Sequence, residues 1–393
     1  MNGSPSIDAD GPRLPAIRAM RAAAGSETDC AEQAAAGVPI DWRPVVEPFR
    51  VAVPQPVLDE LARRLDAARW PETYALDGGE DPARLERIRR LLERWRGGYD
   101  WRRHEARINE YEQQVVSGLH VLKSGGSGPR LVLMNGWPST LAEYLPVLPL
   151  LDDFQVWIVG RLGFGFSGHG LDRPADDEQA AMLAGHVLGD GRYLAHGDDF
   201  GGSVLSRLAL QRPEQVAALH VCEWLEDLGA GELSSAEQAY VDGVHRWSED
   251  ERGYGHVQAN RPQTLGLALD DSPLGLLAWV ADKWLSWSDP ACPLDDDLIL
   301  TTATIYWVTR TIAPSMRAYA AVAPAPRGRV AVPTAVTAGK EDRPPPPREW
   351  LERTYADLRD VHALDRGGHF WAAETSEQFA DRLSRFFDGH ARL

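Results

Sequence analysis

Between residues 130 and 221 short apolar runs alternate with amphipathic ones, and no other feature restricts the fold of this chain as tightly. Arg130 to Met134, Phe154 to Val159, Tyr193 to Asp198 and Val216 to Val221 read as strands, with helical patterns over Leu141 to Leu151, Asp176 to Leu188 and Gly202 to Gln211. Strands separated by helices cannot pair as hairpins. They form a mostly parallel sheet covered on both faces, which places the chain in the α/β class. The alternation stops over residues 226–325, a helix-rich block carrying Trp247, Trp279, Trp284, Trp287 and Trp307. It resumes with a strand at Thr334 to Ala338, a helix at Arg348 to Leu358, a strand at Val361 to Leu364 and a helix at Glu377 to Phe387. The middle block therefore reads as a cap inserted into one sheet.

Upstream, residues 40–128 form a separate unit. Val57, Leu58, Leu61 and Leu65 follow Pro54 at helical spacing, and Leu85, Ile88, Leu91, Leu92 and Trp95 repeat that spacing. A strand near Val115 to Leu122 comes next, and Ser124-Gly125-Gly126-Ser127-Gly128 closes the unit. Residues 1–39 are rich in Gly, Ser, Ala and Pro, lack a secretory apolar stretch, and are expected to be a disordered leader. The expected division is leader 1–39, N-terminal unit 40–128, core 129–225, cap 226–325 and core 326–393. The Pro344 to Pro347 run reads as a rigid surface loop.

Composition removes several functions. The 393 residues carry a formal charge of −17, which opposes binding to nucleic acid or to an anionic membrane surface. No apolar run approaches the roughly 18 residues of a membrane span. Three cysteines, Cys30, Cys222 and Cys292, make neither a disulfide framework nor a clustered zinc site, so a reducing, cytoplasmic setting is expected. Lysine occurs only at 123, 283 and 340, against abundant Arg, which reflects a GC-rich bacterial coding bias.

The chemistry concentrates at strand ends. Gly197-Asp198-Asp199-Phe200-Gly201 lies between a strand and a helix and has the form of a nucleophile elbow, with Asp199 in the central place. A carboxylate nucleophile suits an electrophilic sp³ carbon and yields an ester. The bland alternative is a Gly-rich turn with two solvated Asp. Asn135-Gly136-Trp137-Pro138 follows the first core strand, where hydrolases of this architecture supply an oxyanion-binding N–H; the main-chain N–H groups of Trp137 and Phe200 are the candidates. Gly367-Gly368-His369-Phe370 follows the last strand, and His369 is the candidate base. Glu341 or Asp342, after the strand ending at Ala338, could orient it, giving the order nucleophile, acid, histidine. The other histidines show no metal-ligand spacing.

Several stretches together resemble the microsomal-type epoxide hydrolases. Arg69-Trp70-Pro71-Glu72 and Tyr99-Asp100-Trp101-Arg102 with Glu105 and Asn109 resemble that family's N-terminal region. N-G-W-P, Gly163-Phe164-Gly165-Phe166-Ser167, G-D-D-F-G and G-G-H-F are similar to its H-G-W-P, G-F-G-F-S, G-G-D-W-G and G-G-H-F, in the same order from about residue 45 to the C-terminus. Asn135, Phe200 and Leu162 stand where the family has His, Trp and Pro. The resemblance implies an α/β-hydrolase fold with a helical cap and an N-terminal meander. It implies Tyr254, in Gly253-Tyr254-Gly255-His256, and Tyr319, in Ser315-Met316-Arg317-Ala318-Tyr319, as acids for the epoxide oxygen, with Glu341 as the triad acid and Asp342 in reserve.

The implied reaction converts an epoxide to a vicinal diol through an ester on Asp199, without cofactor or metal. The substrate is expected to be an aryl or bulky natural-product epoxide, as in enediyne antibiotic biosynthesis, with xenobiotic detoxification as the alternative. A dehalogenase would share Asp199 but needs halide-binding Trp or Asn donors. A catalytically silent binding protein would be expected to have lost a triad residue. The expected form is a cytoplasmic homodimer without nucleic-acid or membrane partners.

Overall fold

The computed structural model describes residues 45–72, 81–170, 177–222, 232–292, 294–320, 328–340 and 345–390. Its leading unit begins with β1 (Val46–Pro48), followed by α1 (Gln55–Asp66), α2 (Pro82–Gly97) and α3 (Trp101–Ile108). Pro56 and Pro82 stand in the first turns of α1 and α2, where a missing N–H has no partner to lose, and Pro54 precedes α1 as its N-cap. Asp81 and Asp100 cap α2 and α3 by accepting the N–H groups of Ala83 and Arg102. The strand expected near Val115 to Leu122 is two strands, β2 (Glu112–Val116) and β3 (Leu119–Lys123). Ser117 and Gly118 turn between them with φ of 49° and 89°, and the pairing is antiparallel. A two-residue reversal with both φ positive is the hairpin turn that matches strand twist.

The core strands follow: β4 (Arg130–Met134), β5 (Gln155–Val159), then α4 (Asp177–Leu188), β6 (Tyr193–Gly197), α5 (Phe200–Gln211) and β7 (Val216–Val221). The helix expected over Leu141 to Leu151 is instead two short 3₁₀ turns, Leu141–Tyr144 and Leu148–Leu150. Pro146 and Pro149 explain this, because each removes a helical N–H donor. The cap holds α6 (Ser235–Glu251), α7 (Gly253–Asn260), α8 (Pro262–Asp271), α9 (Pro273–Ser286) and α10 (Asp296–Thr309), then the helical turns Ile312–Ser315 and Arg317–Ala320. The core is completed by β8 (Thr334–Ala338), β9 (Leu358–Ala363) and α11 (Ser376–Asp388). The expected helix from Arg348 ends at Glu352, and Leu358 opens β9.

The strands of the described residues join one nine-stranded sheet in the order β1-β2-β3-β5-β4-β6-β7-β8-β9. The β1 to β3 meander pairs antiparallel and meets β5 antiparallel; from β5 to β9 every pairing is parallel. This is the arrangement implied by the resemblance. β6 and β7 are buried along their whole length, as strands covered on both faces must be. Three apolar clusters hold the molecule together: one on each face of the sheet, and a third joining α1, α2 and the cap to Trp137 and Phe370. That third cluster fixes the cap over the carboxyl ends of β4 and β6, where open parallel sheets place their sites. The expected leader, the Glu341 and Asp342 positions and Pro344 lie outside the described residues, as does part of each cap boundary.

Candidate active site

The floor of the site is built by main chain. Asp199 stands between β6 and α5 with φ 49° and ψ −126°, a conformation that non-Gly residues rarely adopt. The crossing is tight: a Cβ on Gly201 would lie 2.0 Å from the Met134 carbonyl oxygen of β4. Glycine there lets the helix sit directly on the sheet and thrusts the Asp199 side chain outward. The N–H of Trp137 donates to Asp199 Oδ1 at 2.9 Å. Gly136 makes that contact feasible, since a Cβ there would fall 1.9 Å from the same oxygen.

His369 Nε2 stands 3.9 Å from Asp199 Oδ2. Its loop is pinned from three sides. The His369 N–H donates to the carbonyl of Trp287 just past the end of α9 (2.9 Å), and the Lys340 N–H reaches the Gly367 carbonyl (2.9 Å). Glu374 accepts the N–H groups of Asp289 (2.7 Å), Gly368 (2.9 Å) and Phe370 (3.0 Å). Burial pushes the Glu374 carboxyl up to about 7 against those three bonds, which favour its charged form. Through Lys340 the chain entering position 341 runs beside the histidine loop; Glu341 and Asp342 themselves are outside the described residues.

The roof is aromatic. Tyr254 on α7 and Tyr319 on the Arg317–Ala320 turn meet hydroxyl to hydroxyl at 3.4 Å. Tyr254 stacks on Trp137 (ring centroids 5.3 Å apart, planes 9° apart) and meets Trp287 edge-on at 5.2 Å. Tyr319 meets Trp137 and Phe200 edge-on at 5.8 and 5.0 Å. Burial, with Tyr254 and the Asp199 charge nearby, raises the Tyr319 phenol well above its ordinary range, so it stays a donor at neutral pH. Phe200, which replaces Trp, thus serves as a wall for Tyr319 as well as providing the first N–H of α5. The structure brings Asp199, His369, Trp137, Phe200, Tyr254 and Tyr319 into one place.

Polar groups that the sequence did not single out surround this set. Beneath the elbow, Asp198 Oδ2 accepts the Tyr144 hydroxyl (2.6 Å) and contacts His196 Nε2 (3.0 Å). The chain continues from His196 Nδ1 to His220 Nδ1 (2.9 Å), and from His220 Nε2 to Thr337 (3.0 Å), which accepts from Arg382 (2.9 Å). Burial opposes the Asp198 charge, yet His196 and Tyr144 hold its carboxyl below the usual range. His196, His220 and Cys222 are also the one group among the described residues whose ligand atoms lie near enough, within 4.8 Å, to hold a metal. Both rings already have hydrogen-bond partners on both nitrogens. Lys283 on α9 is buried beside Tyr254, and its only sequence signal was being one of three lysines. Glu374 could have been suspected from its place one helical turn beyond G-G-H-F.

Comparisons with known proteins show the family to which the chain belongs. Residues 46–144 match the family described as epoxide hydrolase N terminus, and residues 131–382 match the alpha/beta hydrolase family. A protein of Stigmatella aurantiaca named "Putative epoxide hydrolase" is 33% identical over 372 residues, covering 87% of this chain and 84% of that one. Epoxide hydrolase 1 of Sus scrofa is 24% identical over 400 residues, covering 87% of this chain and 88% of its own. Among solved structures, the epoxide hydrolase of Aspergillus niger superposes with a TM-score of 0.75 at 25% identity, over 88% of this chain and 97% of that one. The juvenile hormone epoxide hydrolase of Bombyx mori gives 0.74 at 25% identity, over 89% and 95%.

Proposed function

Because this chain belongs to the epoxide hydrolases of the α/β-hydrolase fold, we propose that its reaction runs through a covalent ester on Asp199. One Asp199 oxygen attacks an oxirane carbon and the carbon–oxygen bond of the ring breaks. The phenols of Tyr254 and Tyr319 hydrogen-bond the departing oxygen, and one of them protonates it. His369, oriented by Glu341, takes a proton from water, which adds to the ester carbonyl. The N–H groups of Trp137 and Phe200 hold the resulting oxyanion; one such donor is worth about 3 kcal/mol. Collapse releases the vicinal diol and restores Asp199.

The observation that carries this reading is the Asp199 carboxylate: one oxygen takes the Trp137 N–H and the other stands 3.9 Å from His369 Nε2. In this reading the same N–H serves the oxygen that becomes charged when the ester is hydrolysed. The test is a single turnover in oxygen-18 water. Label is expected in Asp199 after the first turnover and not in the diol; label appearing directly in the diol defeats the covalent scheme.

The substrate we propose is an aryl or bulky natural-product epoxide, supported by the aromatic surroundings of the reacting groups, Trp137, Phe200 and Trp287. A panel of racemic styrene-type, bulky polycyclic and small aliphatic epoxides tests it, with faster turnover expected for the first two. The working form we propose is a cytoplasmic homodimer; light scattering on the purified protein decides the subunit count. Among the described residues no helix is long and apolar enough to cross a membrane.

A further inference from the structure

We propose that Lys283 is a positioning residue for the ring-opening step, its buried ammonium set beside Tyr254 so that the phenol gives up its proton more readily to the epoxide oxygen. The inference rests on the reading of Tyr254 as an acid and extends it to a residue outside the reacting set.

Lys283 is only 8% exposed, although lysine normally keeps its ammonium in water. Its Nζ lies 5.1 Å from the centre of the Tyr254 ring and 5.5 Å from that of Trp287. Two carboxylates accompany it, Glu251 of α6 at 3.2 Å and Asp282 at 2.9 Å. Glu251 also accepts the Trp287 indole N–H at 3.3 Å. Trp287 touches both Tyr254 and His369, at 5.2 and 5.1 Å between ring centres. The described contacts near Tyr254 include Lys283 over its ring, Glu251 and Asp282 on that ammonium, Tyr319 at its hydroxyl, and Arg252 two residues before it.

Lys283 sets its ammonium over the ring itself. When the ring opens, the Asp199–carbon bond forms and the carbon–oxygen bond breaks. The Tyr254 proton passes to the oxygen and leaves a phenolate whose ring centre lies 5.1 Å from the ammonium. The proton taken from water by His369 in the second step restores the phenol. A nearby cation favours the charged form of an acid. Here the charge is present only after proton transfer, so the attraction is stronger in the transition state than in the ground state. Ring opening should gain from this, and ester hydrolysis should not.

The experiment is rapid mixing of excess enzyme with styrene oxide, separating alkyl-enzyme formation from its hydrolysis. Lys283→Met is expected to slow ring opening about tenfold, with hydrolysis unchanged within about twofold. Lys283→Arg should recover most of the loss. In a Tyr254→Phe background, Lys283→Met should change ring opening by less than about twofold, because no phenol remains to be assisted. Equal slowing of both steps, or an undiminished effect in the Tyr254→Phe background, overturns the proposal. A wild-type ring-opening rate in Tyr254→Phe alone removes the acid reading, and this inference with it. Glu251→Gln keeps the ammonium and removes one counter-charge. It should leave ring opening at or above the wild-type rate, whereas a fall as large as that of Lys283→Met shows an ion pair that merely braces the cap.

Discussion

The floor and the roof of the site are held by different physics. Below, Asp199 and His369 are fixed through main chain: a positive φ at the elbow, the Trp137 N–H, the Trp287 carbonyl and three N–H groups gathered by Glu374. Above, Tyr254 and Tyr319 are fixed by ring contacts with Trp137, Phe200 and Trp287, with one buried ammonium alongside. Main-chain constraints leave one conformation, so the floor resembles a rigid tool. Ring packing has shallower minima and allows the roof to meet substrates of different shape. On the proposed reaction, nucleophile activation belongs to the core and substrate choice to the cap.

The largest effects are expected where the floor loses a reacting group. Asp199→Ala should abolish diol formation, a fall of about 10⁴ or more, while His369→Gln should accumulate an ester visible by intact mass. Residual ester in Asp199→Ala would break the division at its root. Next is Gly136→Ala, which adds no charge and removes none. Its Cβ would press on the Asp199 carboxylate, and a displacement near 1 Å costs about 10²-fold in turnover. Wild-type activity in this variant would show that the floor is softer than its backbone suggests.

The roof should answer more mildly. Tyr254→Phe and Tyr319→Phe are each expected to lower ring opening by about 10², since a partner phenol remains. They should also shift the preferred enantiomer of a racemic aryl epoxide, measured by chiral chromatography, which Gly136→Ala should not. Glu341→Gln should slow ester hydrolysis by about tenfold or more, with Asp342→Asn near wild type. The reverse ranking assigns the acid to Asp342.

The smallest expected effect is on stability, and it belongs to the sheet beneath the floor. Burial drives His120 of β3 down to about 3 and holds His220 of β7 well below its ordinary range. Unfolded, both rings take up protons below about pH 6.5; folded, they stay neutral. Their contribution is therefore intact above pH 6.5 and lost as the pH falls toward 3. Each should cost about 1.4 kcal/mol between pH 7.5 and 5.5. Denaturant titrations of the wild type and His120→Gln at the two pH values check this, with a smaller pH difference expected in the variant.

The parallel strands were legible because β6 and β7 are buried on both faces and read as unbroken apolar runs. The meander was blurred: Ser117 and Gly118 separate two strands by only two residues, too short a break to interrupt the apolar pattern. The expected helix after β4 dissolved into 3₁₀ turns because apolar spacing outweighed Pro146 and Pro149 in the reading. Asp199, Trp137 and His369 were visible because each lies beside glycines or proline at a strand end. Tyr254, although set between Gly253 and Gly255, and Tyr319 lie in the helical cap and not at strand ends, and were reached only through resemblance. Lys283, Glu374 and Asp198 were not reached, since a buried charged residue looks in sequence like an exposed one.

The sequence by itself determined the run of parallel core strands, the elbow and the histidine turn, because these depend on local backbone limits that glycine, proline and residue spacing write directly into the chain. Only the tertiary structure decided which rings face the nucleophile and which charge stands behind Tyr254. Those contacts join residues from α6, α7, α9 and the core, and they exist only after the cap has closed its apolar face on the sheet.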